Sequence, residues 1–392
     1  MEGDFIKIND GLLPLSWIYG WGVKIRNTLF DIGILKSRAF DIPVISVGNI
    51  TVGGTGKTPH VEYLIQLLHR KFKVAVLSRG YKRKSKGYKE ADRDTPMADI
   101  GDEPYQMKTK YPDITVAVDK NRCHGIERLM DRTSKEQRDI DVILLDDAFQ
   151  HRYVKPGINI LLVDYHRLVI YDKLLPAGRL REPEKGKNRA DIVIVTKCPP
   201  DLKPMEYRVI TKAMNLYPYQ QLFFSTLSYG NLQPLFGGES RPLDSIGKDE
   251  HILLLTGIAS PRQMIVDLKP YTAGIHPMTY PDHHAYTEED IADINRQFAG
   301  LPAPKLVITT EKDAARLTNA EGLSDEVKRN IYALPVNIKF MLEQEEKFNE
   351  NIIGYVQKNS RNSILVKAKD DNKSKDSHHT GNRTRTISFR NN

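Results

Sequence analysis

The stretch Ile45-Ser-Val-Gly-Asn-Ile-Thr-Val-Gly-Gly-Thr-Gly-Lys-Thr-Pro59 decides the fold of this chain. A short apolar run over residues 42–47 predicts a buried parallel strand, and a helical pattern of apolar residues begins at Pro59. A glycine-rich turn that ends in Gly-Lys-Thr lies between them. This order predicts a phosphate-binding loop, because backbone N–H groups and the helix dipole at a helix N-terminus both favour an anion.

The loop differs from the usual pattern at its first position, where Thr51 replaces a glycine. A related loop variant has a lysine ahead of its glycine pair, where this chain has Val52. In our prediction Lys57 reaches the β- and γ-phosphates of a nucleotide, and the Thr58 hydroxyl ligates Mg²⁺. A plain glycine-rich turn is the alternative. The expected nucleotide-binding residues are Thr51, Val52, Gly53, Gly54, Thr55, Gly56, Lys57 and Thr58.

A second motif, which is acidic, supports the hypothesis that the chain binds a nucleotide. Four apolar residues, Val142 to Leu145, run directly into Asp146 and Asp147. A carboxylate at the C-terminal end of a parallel strand beside a phosphate loop holds Mg²⁺ directly or through water. We therefore expect Asp146 and Asp147 to govern the metal. The later segment Thr196-Lys-Cys-Pro199 lacks the guanine-selective Asn-Lys-x-Asp motif, which favours ATP over GTP.

The length and composition exclude several classes of protein. The chain has 392 residues, enough for two domains, and its two cysteines indicate a reducing compartment. Half of the net charge of +8 comes from the residues after 366, and we expect residues 360–392 to form a disordered tail. The rest is mildly basic without an aromatic-basic motif, which argues against nucleic-acid binding. No cleavable signal peptide is expected, because Glu2 and Asp4 stand where a basic segment would.

Residues 12–36 predict an amphipathic helix. The stripe of apolar side chains at helical spacing comprises Ile18, Trp21, Ile25, Leu29 and Ile32. Trp17 lies four residues before Trp21, on the same side, and Lys24 and Arg26 interrupt any apolar span long enough to cross a membrane. The sequence leaves two possibilities open: an interfacial helix with tryptophans at the headgroup level, or a helix packed on its own sheet.

Strands that alternate with helices behind the phosphate loop predict an α/β fold, with a parallel sheet covered on both faces. A smaller α/β unit without its own phosphate loop follows after residue 220. For several polar clusters, the sequence allows either a structural or a functional role. They are the basic loop 82–89, the arginine pair Arg179 and Arg181, the carboxylates Asp102 and Glu103, and the pair Asp282 and His283.

Together these motifs resemble the tetraacyldisaccharide 4′-kinase family, the lipid A 4′-kinases of Gram-negative bacteria. The resemblance covers roughly residues 12–342 and includes Ala148, where the family commonly has glycine. It is carried by residues 48–59, Ser78-Arg-Gly-Tyr81, Gly101-Asp-Glu-Pro104, Asp146-Asp-Ala-Phe-Gln-His-Arg152, Leu175-Pro-Ala-Gly-Arg-Leu-Arg-Glu182, Thr256-Gly-Ile-Ala259, Pro281-Asp-His283 and Thr309-Thr-Glu-Lys-Asp313.

The resemblance implies a phosphate-loop lobe (41–220) and a smaller α/β/α lobe (221–345), joined by a short β linker and preceded by a membrane-docking helix (1–40). It also implies transfer of the ATP γ-phosphate, with Mg²⁺, to the 4′-hydroxyl of a tetraacyl glucosamine disaccharide 1-phosphate, a lipid A precursor. The reaction is expected at the cytoplasmic face of the inner membrane, to which the protein would bind peripherally through Trp17 and Trp21. No protein partner is expected to be required.

Residue roles follow from the same resemblance. Asp102 is the expected base, His283 pairs with it, and Lys57 and Asp147 act on the phosphates. We further expect Arg79, His151, Arg179 and Arg181 to bind the substrate, and from their charge, rather than from the resemblance, we infer that Arg179 and Arg181 meet its 1-phosphate or anionic headgroups. The alternative is a phosphate-loop ATPase that switches or matures a protein partner.

Overall fold

A computed structural model of the chain describes residues 8–136, 140–258, 261–272, 274–282 and 284–373. Within these residues, fourteen strands form two sheets. The strands are β1 Val44–Gly48, β2 Val74–Ser78, β3 Lys89–Glu90, β4 Thr115–Val118, β5 Val142–Asp146, β6 Ile158–Asp164, β7 Ile192–Thr196, β8 Gln221–Tyr229, β9 Gln233–Pro234, β10 His251–Thr256, β11 Gly274–Thr279, β12 Lys305–Thr310, β13 Ile331–Leu334 and β14 Val336–Phe340.

Eleven α-helices lie in the same part of the chain. They are α1 Leu13–Asp31, α2 Lys57–Leu68, α3 Met97–Ile100, α4 Asp102–Lys110, α5 Arg122–Glu136, α6 Pro204–Met214, α7 Arg262–Leu268, α8 Glu288–Ala299, α9 Glu311–Leu317, α10 Asp325–Asn330 and α11 Glu345–Lys373.

The larger sheet has nine described strands in the order β14-β8-β7-β6-β1-β5-β2-β4-β3. Its seven inner strands are parallel, and β14 and β3 pair antiparallel at the edges. The apolar side chains of β5 alternate between the two faces: Leu144 packs with α2 and α4, and Leu145 packs with α5. Burial on both faces explains why this strand reads as a continuous apolar run.

The second lobe has its own five-stranded described sheet, in the order β11-β10-β12-β13-β9. In β10, Ile252 and Leu254 pack against α7, whereas Leu253 and Leu255 pack against α8. The lobe is an insertion between β8 and β14, which pair antiparallel and carry the chain out of the first lobe and back. The predicted α/β class, with a phosphate-loop sheet, a smaller second lobe and a two-stranded connection, is confirmed.

The end of the chain differs from the expected division. Helix α11 returns to the first lobe and buries Phe348, Ile352 and Val356 in its core, so the first lobe is built from both ends of the chain. The sequence analysis expected a disordered tail from residue 360, but α11 extends to Lys373. The apolar residues 348, 352 and 356 lie four apart, which is the helical spacing that could have indicated this helix.

Candidate active site

The phosphate-binding loop lies between β1 and α2, and α2 begins at Lys57 rather than at Pro59. Gly53 and Gly56 have φ angles of 118° and 79°, a left-handed backbone that favours glycine. The Asn49 side-chain amide donates to Thr55 Oγ1 (2.8 Å), and the Val52 amide donates to the Arg179 carbonyl (2.8 Å). These bonds fix the loop from inside and from the neighbouring residues 174–182.

Lysine 197 holds the loop from a third side. Its ammonium donates to the Gly54 carbonyl and lies 2.8 Å from Oδ2 of Asp164. Lys197 follows β7 directly and has a φ of 56°. The segment around Lys197 lacks a guanine-selective motif, and its local pattern does not predict this contact with the loop.

Asp146 ends β5, which pairs directly with β1, so this carboxylate lies beside the phosphate loop. Ser78 Oγ, at the end of β2, donates to Asp146 Oδ2 (3.1 Å). Oδ1 is buried and has no hydrogen-bond partner among the described residues. Burial, followed by the negative charges of Glu103 and Asp147, raises the pKa of Asp146 to about 7. Lys57 opposes this rise in pKa without overcoming it, and a buried carboxylate in such surroundings is a suitable ligand for a divalent cation.

Asp147 differs from its neighbour because it faces two cations. Its Oδ1 lies 3.6 Å from Lys57 Nζ, and its Oδ2 lies 3.4 Å from Arg181 Nη1. Burial opposes ionisation, but Lys57 and Arg181 outweigh it and hold the pKa of Asp147 below its ordinary value. The site therefore combines one carboxylate that resists ionisation with one that stays ionised.

Asp102 is the first residue of α4 and follows Gly101, whose φ is 91°. Its carboxylate accepts a hydrogen bond from Arg316 of α9, which belongs to the second lobe. The next residue, Glu103, lies near enough to Asp146 to raise its pKa, and it lies 4.0 Å from Lys312. Sequence reasoning left Glu103 undecided and missed Arg316, because contacts between lobes have no local pattern.

His283, predicted to pair with Asp102, lies outside the described residues, as does Ala259. Its neighbours have other partners: Asp282 Oδ1 lies 2.9 Å from Lys312 Nζ, and His284 Nε2 lies 2.8 Å from Asp290 Oδ2.

The predicted substrate residues follow the same sheet edge. Arg79 comes directly after β2 and is exposed, and Arg179 is also exposed. His151 is partly buried, and burial together with the positive charges of Arg122, Arg26 and Arg79 lowers its pKa to about 4. A neutral imidazole therefore lies among arginines. Arg181 contacts Asp147, so the two arginines of residues 174–182 have different surroundings.

The amphipathic helix α1 turns its polar side towards the protein. Ser16 Oγ donates to the Leu174 carbonyl (3.0 Å), and Tyr19 Oη donates to the Arg181 carbonyl (2.8 Å). Trp17 and Trp21 are 68% and 74% exposed. The apolar stripe is thus not packed on the sheet, unlike the alternative that the sequence left open. Among the helices that the structure describes, none combines the length and apolarity that crossing a bilayer needs.

The basic loop 82–89 is divided between internal and external contacts. The Arg83 guanidinium donates to the Val118 carbonyl (3.3 Å), and Lys89 Nζ lies 2.5 Å from Asp99 Oδ2. Lys82, Lys84 and Lys86 are exposed. Part of the charge run is therefore structural, and part is available to an anion.

A cavity of about 780 Å³ opens between the lobes, beside Lys197, which contacts the phosphate loop at Gly54. Lys197 and Thr226 line it from the first lobe, and Leu243, Gln263 and Tyr271 line it from the second. Lys197 therefore links the wall of the cavity to the phosphate loop.

Comparisons with known proteins show which family this chain resembles. The family model of LpxK, tetraacyldisaccharide-1-P 4′-kinase, matches residues 8–357. A tetraacyldisaccharide 4′-kinase of Phocaeicola vulgatus is 61% identical over 93% of this chain and 99% of its own length. One from Bacteroides thetaiotaomicron is 56% identical over 93% of this chain and 97% of its own length.

A solved structure is also similar. The "apo" form of LpxK from Aquifex aeolicus, in complex with ATP, superposes with a TM-score of 0.66 and 31% sequence identity. The match covers 88% of this chain and 98% of that chain. The sequence motifs, the two-lobed architecture and these relatives agree, and this chain belongs to the tetraacyldisaccharide-1-P 4′-kinase family, LpxK.

Proposed function

We propose that this chain transfers the γ-phosphate of ATP to the 4′-hydroxyl of a tetraacyl glucosamine disaccharide 1-phosphate, at a membrane surface. The observation that carries the proposal is the meeting of Lys57, Asp146 and Asp147 at one sheet edge. Asp102 precedes Glu103, and Glu103 lies close enough to this edge for its negative charge to raise the pKa of Asp146. The relatives named tetraacyldisaccharide 4′-kinase support the choice of acceptor.

The phosphate loop and Lys57 would hold the phosphates in line with the acceptor. Phosphoryl transfer depends mainly on such positioning and on charge neutralisation. Asp102 would take the proton of the sugar hydroxyl, which is a weak nucleophile, and a base in this place contributes about 10²- to 10⁴-fold in rate. The ATP complex of the Aquifex aeolicus protein supports ATP as the donor.

Magnesium fits the acidic pair. The buried Oδ1 atoms of Asp146 and Asp147, which accept no hydrogen bond from the described residues, offer the oxygen ligands that Mg²⁺ prefers, and Thr58 adds a hydroxyl in the first turn of α2. When bound, Mg²⁺ neutralises charge on the phosphate oxygens. Asp147 keeps its negative charge through Lys57 and Arg181, so it is ready to accept the cation without losing a proton.

The nucleoside of ATP would enter the cavity between the lobes. The Lys197 ammonium is fixed to Gly54 and Asp164, and Lys197 also lines the cavity. A volume of about 780 Å³ lies within the range of small-molecule sites.

The acyl chains of the substrate require contact with a lipid surface. Helix α1 offers Trp17, Ile18 and Trp21 to solvent while its polar side is held by the loop 174–182. Exposed tryptophans on a helix fixed to the protein fit an interfacial position at the cytoplasmic face of the inner membrane. The exposed lysines of the loop 82–89 and Arg179 would meet anionic headgroups or the 1-phosphate.

The test compares two acceptors in mixed micelles with labelled ATP and Mg²⁺: the tetraacyl disaccharide 1-phosphate and its 4′-deoxy analogue. We expect label in the first lipid and none in the second. Equal labelling of both lipids would contradict transfer to the 4′-hydroxyl. Label found only as free phosphate, independent of lipid, would instead support the ATPase that acts on a protein partner.

A further inference from the structure

Arg316 lies between two carboxylates that belong to different lobes. Its Nη1 lies 3.1 Å from Asp313 Oδ1 in its own lobe, and its Nη2 donates to Asp102 Oδ2 of the first lobe. The residue is 9% exposed, so water competes little for these contacts. A guanidinium is planar and always charged, which makes such a shared contact directional.

The second-lobe end of this contact is fixed. Asp313 is fully buried and accepts hydrogen bonds from the Gly257 amide (2.8 Å) and from Thr310 Oγ1 (2.7 Å). Gly257 follows β10, and Thr310 ends β12, so Asp313 is held by two strands of the second sheet. The direction of the Arg316 guanidinium is therefore set by the second lobe as a whole.

The first-lobe end is equally constrained. Gly101 has a left-handed φ of 91°, and a side chain there would place its Cβ 2.9 Å from the Tyr81 carbonyl oxygen. This turn fixes where α4 begins, and hence where the Asp102 backbone lies. The contact with Arg316 then decides how the carboxylate is turned.

We infer that Arg316 is a positioning residue, which orients the Asp102 carboxylate for the acceptor hydroxyl and favours its ionised form; this rests on the proposed function. In the step it serves, the 4′-oxygen forms a bond to the γ-phosphorus, the bond from that phosphorus to the β–γ bridging oxygen breaks, ADP leaves, and the hydroxyl proton goes to Asp102. Arg316 exchanges no proton.

Other charges also face Asp102. Glu103 follows it on α4, and Lys312 of α9 lies 4.0 Å from Glu103 and 2.9 Å from Asp282. Lys312 is thus shared between two carboxylates, as Arg316 is. Because Arg316 donates to Asp102, its removal takes positive charge away from this carboxylate, and the negative charges of Glu103 and Asp313 then disfavour ionisation more strongly.

The test uses Arg316→Gln, which removes the charge and retains an amide donor for Asp313, and Arg316→Lys, which retains the charge without the planar fork. The exposed Arg329→Gln is the matched control. We expect kcat to fall about 10- to 100-fold in both variants with little change in KM for ATP. In the profile of kcat against pH, we expect the midpoint of the acid limb to shift to higher pH by about 1 unit or more in Arg316→Gln. In Arg316→Lys this midpoint should stay near the wild-type value.

A second readout does not depend on turnover. The ¹³C signal of the Asp102 carboxyl, assigned by its absence in Asp102→Asn, reports the titration midpoint directly. We expect a higher midpoint in Arg316→Gln than in wild type and in Arg329→Gln. Equal midpoints in folded protein would overturn the inference even if the kinase assay succeeds. A raised midpoint in a protein that transfers no phosphate to lipid would leave the electrostatic role standing and refute the proposed function.

Discussion

Lys57 Nζ lies 3.6 Å from Oδ1 of Asp147, so the cation of the phosphate loop contacts the acidic pair directly. Arg181 contacts the other oxygen of the same carboxylate at 3.4 Å. When a polyphosphate enters, it brings negative charge to both cations. Lys57 thus lies between the acidic pair and the phosphate-binding loop, and this position underlies the first prediction.

Replacing Lys57 with alanine should remove phosphate transfer while the fold persists. The lysine contributes charge where the phosphates reorganise, and losing one such donor costs about 10²- to 10³-fold or more in kcat. Transfer of labelled phosphate is compared with that of the exposed Lys71→Ala variant, and circular dichroism checks the fold. Turnover near that of wild type would remove Lys57 from the phosphate site.

His60 should make the protein less stable in mild acid. It is buried on α2, with Nδ1 2.7 Å from the Gly56 carbonyl oxygen and Nε2 3.0 Å from Ser225 Oγ. Burial lowers its pKa from 6.5 to about 4, against the opposing effect of the Gly56 bond. The unfolded chain therefore binds more protons between these values, and stability present above pH 6.5 is lost as the pH falls towards 4.

His60→Gln should remove about 2–3 kcal/mol of this pH dependence, because the amide cannot take up the proton. Urea unfolding from pH 7.5 to 4.5 measures it, with the exposed His276→Gln as the matched control. The prediction fails if wild type and His60→Gln lose stability in parallel.

Asp102→Asn should separate chemistry from binding. The amide keeps the size of the side chain but accepts no proton, so we expect kcat to fall about 10²- to 10⁴-fold while KM for ATP stays within a few-fold. The exposed Asp113→Asn is the control. A rise in KM for ATP with unchanged kcat would move Asp102 from the base role to nucleotide binding.

The tryptophans of α1 should control membrane attachment. Replacing Trp17 and Trp21 with serine removes exposed apolar area without touching the contacts of Ser16 and Tyr19, and partition into anionic vesicles should fall about 10- to 100-fold. Sedimentation with vesicles measures it. The exposed pair Tyr217→Ser and Tyr219→Ser, before β8, is the control. Unchanged partition would assign vesicle binding to another surface.

The sequence predicted those parts of the site that lie within single segments. The phosphate loop, the strand ending in Asp146 and the stripe of α1 are local patterns, and each is found where its pattern indicates. The pattern of α1 did not decide whether its apolar side chains are exposed or packed on the sheet. An apolar stripe has the same spacing whether it faces a sheet or a lipid surface, and the bonds of Ser16 and Tyr19 decide it.

What the sequence missed depends on contacts between distant segments. Arg316 and Asp102 are 214 residues apart, and Lys197 reaches a carbonyl 143 residues earlier. The first contact follows from the insertion of one lobe between two strands of the other, and the second from the arrangement of β1 and β7 in one sheet. The return of α11 to the first lobe also depends on distant contacts, because Phe348, Ile352 and Val356 pack against residues from the first half of the chain.

The measurement that tests the account most directly is the fate of the γ-phosphate in a single turnover. Wild type and Asp102→Asn are each mixed with labelled ATP, Mg²⁺ and the tetraacyl disaccharide 1-phosphate in micelles, and label in lipid and in free phosphate is followed over time. We predict rapid label in the lipid with wild type, and a lipid signal at least about 100-fold slower with Asp102→Asn. Label released as free phosphate at equal rates in both proteins, with none in lipid, would contradict the kinase and its base together.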